Sequence, residues 1–340
     1  MPPKRTASSK SKHKSSPVAS DSESSQQAKK AKVSKAKVED SGVLPENAQP
    51  TNKELPENIV FPAKIAGTIR MASWNVSGLA AAQKKGFKSY MEAEDADILI
   101  LTETKVNNEP VDPAINERYP FRYWSIANKK GYAGTVILSK HEPQSITKTL
   151  PGHPDADAVK GRIVTLEFEK YYLIGTYVTN AGSGLKTLKE KEVWNEHFTT
   201  YIRDLDSKKP VIWAGDLNVA PTEKDLTHAK PNWNKTPGYT KSETTAFAQI
   251  LNPSKDEEAS SSSSSTNKFV DVWRHLHPDL RHYTYFGYRF NCRAKGIGWR
   301  LDMFVLSERL VENVKLCEIR SEIYGASDHC PIVLEIEGIL

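Results

Sequence analysis

The chain is poor in cysteine and apolar residues, and its first fifty positions contain no aromatic residue. Cys292, Cys317 and Cys330 are the only cysteines, an odd number without zinc-site spacing. They give no disulfide framework and fit a reducing compartment. No secretory apolar segment is present, and no apolar run approaches the ~20 residues that a membrane-spanning helix needs. There is no GxSxG elbow, no P-loop and no dinucleotide fingerprint, so the usual serine-hydrolase, nucleotide-triphosphate and Rossmann readings have nothing to rest on.

The apolar shortage is uneven. Hydrophobic residues make up 38% of the chain, but residues 1 to 50 are mostly Lys, Ser, Ala, Pro and Glu. Such a stretch is too polar to bury a core, so a disordered basic tail is expected over residues 1–55. It carries ten Lys/Arg against five Asp/Glu within residues 1 to 50, and so accounts for the whole net charge of +5. The remainder balances at zero, and any cationic face on it has to come from segregation of charge. The runs "PPKR", "KSKHK" and "KKAKVSKAK" read as a nuclear address or a DNA-tethering arm, against the plainer reading of a solubilising tail. A Lys-rich tail without amphipathic apolar residues fits a mitochondrial presequence less well, so the mitochondrion is the lesser alternative.

From about residue 60 the texture changes. "IRMASW", "ADILILTE", "GTVILS", "RIVTLEF", "YYLIGTYV", "PVIWAGDL", "LDMFVLS" and "CPIVLEIE" are strand-sized and rich in β-branched or aromatic residues. "RIVTLEF" and "YYLIGTYV" are close enough to form a hairpin. Leu185, Leu188, Trp194, Phe198, Tyr201, Ile202 and Leu205 keep helical spacing, and Thr240 with Glu243 has the form of a capping box opening a second helix. The mixture predicts an α/β domain over residues 60–340, with two mixed sheets packed face to face and helices outside. "NPSKDEEASSSSSSTNK", residues 252–268, reads as a flexible insertion in that domain.

Several strand-like runs end on polar residues: Asn75, Glu103, Tyr177 with Asn180, and Asp216 with Asn218. Asp302 stands at a strand start, and Asp328 and His329 precede the last strand. Asp and Asn alone are ordinary turn residues after strands. Together they form a set of hard oxygen donors with one histidine beside an aspartate, suited to magnesium or manganese and to phosphoester hydrolysis.

"SWNVSGL", "LTETK", "YVTNAG", "GDLNVAP", "GWRLD" and "SDHCPI" occur in that order between residues 73 and 332. The series resembles the endonuclease/exonuclease/phosphatase family, and within it the exonuclease III type of apurinic/apyrimidinic endonuclease. The resemblance implies a four-layer α/β/β/α sandwich and a magnesium-dependent hydrolase, with manganese as a substitute. It would cut duplex DNA 5′ to an abasic site, leaving a 3′-hydroxyl and a 5′-deoxyribose phosphate, with 3′–5′ exonuclease or 3′-phosphodiesterase side activity.

The resemblance also implies roles. Glu103 would be the principal metal ligand, in a set with Asn75, Asp216, Asn218, Asp328 and His329. Asp216 and Asn218 would orient or deprotonate water, and His329 paired with Asp302 would bind the phosphate. Tyr177 and Asn180 would hold phosphate oxygens. Tyr285, Trp299 and Leu301 would form the sugar pocket, and Tyr132, Arg162 and Asn232 would touch DNA. The implied molecule is a monomer of base excision repair that acts with other repair proteins and no membrane.

The chain departs from its relatives at Ser77, where Asp or Asn is usual, and at Ala80 and Ser183, where some carry Arg. Ala72 replaces a cysteine that some animal relatives carry. The competing readings are a phosphoesterase of the same fold with another substrate, and a DNA-binding scaffold weakened through Ser77.

Overall fold

The computed structural model describes residues 48–50, 54–253 and 268–339. Twelve strands occur among them: β1 (Thr68–Asn75), β2 (Ile98–Thr102), β3 (Phe121–Ser125), β4 (Thr135–Ser139), β5 (Ser145–Thr147), β6 (Ile163–Glu167), β7 (Tyr172–Tyr177), β8 (Val211–Asp216), β9 (Phe269–Asp271), β10 (Asp302–Ser307), β11 (Val314–Ile319) and β12 (Ile332–Glu337). One sheet has the order β11-β12-β1-β2-β4-β3 and the other β5-β6-β7-β8-β10-β9. Each contains one parallel pair, β1 with β2 and β7 with β8, among antiparallel neighbours.

Successive side chains of a strand point to opposite faces, which explains why a run such as Ile98 to Leu101 is apolar at consecutive positions. In β2, Ile98 and Ile100 enter the core between the sheets, whereas Leu99 and Leu101 pack outward with Trp74, Phe87, Tyr90 and Met91. In β8, Ile212 and Ala214 face inward, and Val211 and Trp213 meet Trp194, Phe198 and Phe247 on the helices outside. Helix, sheet, sheet and helix are therefore stacked as four layers, as the sequence implied. No helix among the described residues is long and apolar enough to cross a membrane.

The expected hairpin is β6 paired antiparallel with β7. The long helix runs Leu188–Asp206 and buries Trp194, Phe198, Tyr201, Ile202 and Leu205, while Leu185 lies outside it at φ +60°. The capping box between Thr240 and Glu243 opens the Lys241–Leu251 helix. Strands β3, β5, β9 and β11 have no counterpart among the eight apolar runs: β5 and β9 are three residues long, and β3 and β11 include partly exposed positions. The basic runs of the tail and the core of the Ser-rich insertion lie outside the described residues. Near the expected boundary at residue 55, Gln49 is 3% and Leu55 9% exposed, so the packed body reaches further toward the N-terminus than the composition implied.

Two glycines set the geometry near the strand ends. A Cβ on Gly175 would stand 3.0 Å from Ile100 of the facing sheet, so β7 and β2 approach closely there. Gly215, at φ +136°, would drive a Cβ to 2.0 Å from the Thr176 carbonyl oxygen, which only glycine avoids. It immediately precedes Asp216.

A buried ionic network fixes the other flank. Arg300 is fully buried, with Nε 2.7 Å from Asp225 and Nη2 2.6 Å from Asp271; Arg274 adds a second cation at 2.6 Å from Asp225. It ties β9 and the loop after β8 to the residue two before Asp302. Removing one member of a buried pair leaves the remaining charge without compensation. Arg300→Ala is expected to destabilise the protein by about 3–5 kcal/mol, read by urea unfolding. A loss below about 1 kcal/mol would mean that Arg274 or water compensates the two aspartates.

Candidate active site

The two parallel pairs place their strand ends at the same edge of the sandwich. Asn75 pairs with Thr102, just before Glu103, and Tyr177 pairs with Asp216. Antiparallel pairing sets Asp302, the first residue of β10, opposite Asp216. The bridge between Tyr285 and His329 brings the segment before β12 to the same place.

Asn75 joins the two sheets. Its Nδ2 donates to Glu103 Oε1 at 3.1 Å and to Asp216 Oδ2 at 2.9 Å, and its Oδ1 accepts from the Ser77 N–H at 2.9 Å. Ser77, Glu103, Lys105 and Asn218 have φ between +49° and +55°, a left-handed cluster in which the chain turns sharply after three strands. Lys105, which the sequence reading did not single out, lies 2.9 Å from Glu103 Oε2. Its charge, two residues after the carboxylate in "ETK", was the available signal.

Asp216, Asp302 and His329 are all buried, and their nearest donor atoms lie within 4.8 Å of one another. His329 Nδ1 is 2.7 Å from Asp302 Oδ2, and the indole of Trp74 donates to the His329 carbonyl at 3.0 Å. Asn218 accepts from Asn180 at 2.8 Å, donates to the Val178 carbonyl at 2.9 Å, and its N–H reaches Asp216 Oδ1 at 2.9 Å. The Tyr177 hydroxyl lies close enough to Glu103 to feel its charge.

The charges are differentiated by environment. Burial and the Asp302 carboxylate push Asp216 up to about 7, against the opposing pull of His329. Burial penalises a charged His329, but Asp302 overcomes it and lifts the ring to about 10. Glu103 is also penalised by burial, yet Lys105 and the Asn75 amide bring it below the usual carboxylate range. Burial and the adjacent Glu103 hold Tyr177 well above the ordinary phenol range, so it stays a donor.

The remaining predicted residues separate into two groups. Tyr285, Trp299 and Leu301 stand at the rim of the site: the Tyr285 ring is 4.9 Å from that of His329, and Tyr285 and Trp299 are bridged through their backbones. Leu301 is buried and its carbonyl accepts from Leu217. Asp328 is half-buried beside His329 and does not belong to the close trio.

Tyr132 and Arg162 line a groove of about 530 Å³ together with Asn180. Arg162 itself is buried; it donates to the Tyr132 hydroxyl at 2.6 Å and lies 5.1 Å from the Tyr177 ring centre. Asn232 is not drawn to the site, since its side chain bonds His228 and Thr236 within its own turn.

Comparison with known proteins places this geometry in a family. Residues 72–329 match the endonuclease/exonuclease/phosphatase family model. The chain is 41% identical over 270 residues to an exodeoxyribonuclease of Bacillus subtilis, covering 79% of this chain and 99% of that protein. It is 39% identical over 303 residues to the DNA repair nuclease APEX1 of Danio rerio, covering 88% and 92% respectively. The crystal structure of the AP endonuclease LMAP from Leishmania major superposes with a TM-score of 0.65 at 27% identity, covering 86% of this chain and 93% of that one.

The His329–Asp302 pair yields a test. In metal-free protein, His329 is expected to hold its proton until near pH 10. Because its folded value is raised, the stability it contributes is complete below its ordinary 6.5 and is lost as pH rises toward about 10. Asp302→Asn should lower the imidazole titration followed by NMR and flatten that alkaline loss. An unmoved titration would show that Asp302 does not hold the proton.

Proposed function

The chain belongs to the endonuclease/exonuclease/phosphatase family, and on that premise we propose that it is a DNA repair hydrolase acting on abasic sites. It cuts the phosphodiester 5′ to the lesion, leaving a 3′-hydroxyl and a 5′-deoxyribose phosphate, and has exonuclease activity at 3′ ends. The observation that carries the reading is the trio of Asp216, Asp302 and His329 at the strand ends, beside the rim formed by Tyr285 and Trp299.

The donor set suits a hard divalent cation, magnesium first and manganese second. Asp302 Oδ1 is buried without a hydrogen-bond partner, and Asp216 is raised because no nearby cation outweighs burial and its acidic neighbours. Glu103 would be the principal ligand, with Asn75, Asp216, Asn218 and Asp328 forming the wider set; His329, as an imidazolium held by Asp302, has no lone pair to give a metal and serves the phosphate instead. Bound there, the ion supplies charge neutralisation at the scissile phosphate.

The chain's own groups supply the rest. We assign the taking of a proton from water to Asp216, a buried carboxylate held at the strand end by the Asn75 amide and the Asn218 N–H. His329, kept cationic by Asp302, presents its other nitrogen to a phosphate oxygen. Tyr177 and Asn180 offer an O–H and an N–H to the same charge. Tyr285, Trp299 and Leu301 form the pocket that selects a baseless sugar. The basic tail supports a nuclear location and added phosphate contacts on duplex DNA. We infer a monomer working with other base excision repair proteins.

Ser77 is where the scaffold reading has its one foothold. The test is cleavage of a duplex oligonucleotide carrying one abasic analogue, titrated with magnesium, for wild type, Glu103→Ala and Ser77→Asp. Wild type is expected to cut 5′ to the analogue, Glu103→Ala to lose at least about 100-fold in rate, and Ser77→Asp to need less magnesium. No cleavage by wild type at any magnesium concentration would remove the abasic-site reading. Activity appearing only in Ser77→Asp would favour the lapsed scaffold.

A further inference from the structure

Gln49 lies ahead of β1, in the stretch whose composition reads as tail, yet it is 3% exposed. Its N–H donates to the Arg293 carbonyl at 2.7 Å, its Oε1 accepts from Arg293 Nη1, and its Nε2 donates to Cys330 Sγ at 3.2 Å. Arg293 is only 7% exposed; its Nη2 donates to the Ser327 carbonyl, and its guanidinium lies 5.7 Å from the Phe286 ring centre. These three partners are all neutral. A buried cation held by neutral groups tolerates the loss of an acceptor badly, because a charged N–H is then left desolvated and unbonded.

The far ends of these contacts are in the active site. The Ser327 hydroxyl donates to the Asn75 carbonyl at 2.6 Å and accepts from the His329 N–H at 3.1 Å. The Cys330 N–H donates at 2.6 Å to the carbonyl of Thr284, whose hydroxyl accepts from the N–H groups of Leu301 and Asp302 at 3.0 and 3.1 Å. Gln49 therefore grips the Ser327–Cys330 segment at both ends, through Arg293 at one and the thiol at the other. His329 sits between. A few residues on, Gly325 lets the Glu54 backbone pack where any Cβ would be 2.2 Å from its carbonyl oxygen.

We infer that Gln49 is a positioning residue for His329, acting through Arg293, Ser327 and Cys330, so that the segment before the first strand is part of the working enzyme. The kinetic half of this inference rests on the abasic-site reading above; the structural half does not. The experiment uses the full chain as wild type, Gln49→Ala and Gln49→Glu. Labelling of Cys330 by a thiol reagent is followed by mass spectrometry, with buried Cys317 as internal reference, and kcat and KM are measured on the abasic duplex.

Gln49→Ala is expected to raise Cys330 labelling about tenfold or more, with Cys317 unchanged. It should lower kcat by about tenfold while KM stays within about threefold. Gln49→Glu, which keeps an acceptor for Arg293, should restore kcat. Unchanged Cys330 labelling in Gln49→Ala would overturn the proposal. So would Cys317 labelling that rises in step, which marks general destabilisation, or raised Cys330 labelling with kcat intact. If wild type does not cut abasic DNA, the functional reading alone fails, and the labelling still decides whether Gln49 holds the segment.

Discussion

One side-chain amide holds the two halves of the site together. Asn75 ends a strand of one sheet, and its two N–H bonds reach a carboxylate on that sheet, Glu103, and a carboxylate on the other, Asp216. Only a group with two donors and no charge fits between them. A carboxylate there would add a third like charge in a buried space, and an apolar residue would leave one oxygen of each acid, Glu103 Oε1 and Asp216 Oδ2, without its amide donor. The bridge also needs the sheets to meet at a fixed distance. Gly175 permits close contact with Ile100, and Gly215 allows the backbone to approach Thr176 just before Asp216. Core packing and catalytic geometry are one constraint here, because moving a strand end by a residue would break the amide bridge.

The same bridge separates the acids electrically. Glu103 shares the Asn75 amide with Asp216 but has Lys105 as well, and is held ionised. Asp216 has no ion pair as close as that of Glu103 with Lys105 and faces Asp302, and rises toward neutrality. Asp302 is partnered on one oxygen by His329 while its other oxygen is buried and unbonded. Glu103 and Asp216, bonded to the same amide, are thus pushed in opposite directions by their neighbours alone.

Much of this was legible in the sequence because the central strands are buried on both faces and so announce themselves as unbroken apolar runs. The polar residue that ends each run is then conspicuous, and Asn75, Glu103, Asp216, Asn218, Asp302 and His329 do come together. What escaped notice is what depends on distant partners. Strands β3, β5, β9 and β11 are short or partly exposed, and they are strands because neighbours supply their hydrogen bonds. Arg300 reads as one more charge until Asp225 and Asp271 are seen closing on it. Gln49 sits next to a low-complexity tail, and nothing local distinguishes a glutamine that is solvated from one that holds a buried arginine. Asn232 shows the opposite ambiguity, since an asparagine in a loop suits a turn as well as a DNA contact, and its side chain bonds within its own turn.

Ser77 shows how far a side-chain change can be separated from the backbone's work. The position has φ +49°, where Asp and Asn are more at ease than Ser because their side chains bond the local backbone. Its main contribution to the bridge is nonetheless its N–H, which fixes the oxygen of Asn75 and so turns the Asn75 donors toward the two acids. Its carbonyl, 3.4 Å from Lys105 Nζ, helps place the cation beside Glu103. Both functions belong to the main chain and survive any residue that adopts the left-handed turn. A serine puts no charged group at this turn, so on the proposed function the residue bears on how tightly a cation is held and leaves the orientation of Asn75 in place. That is the physical reason for reading Ser77 as a change in metal affinity within an intact site.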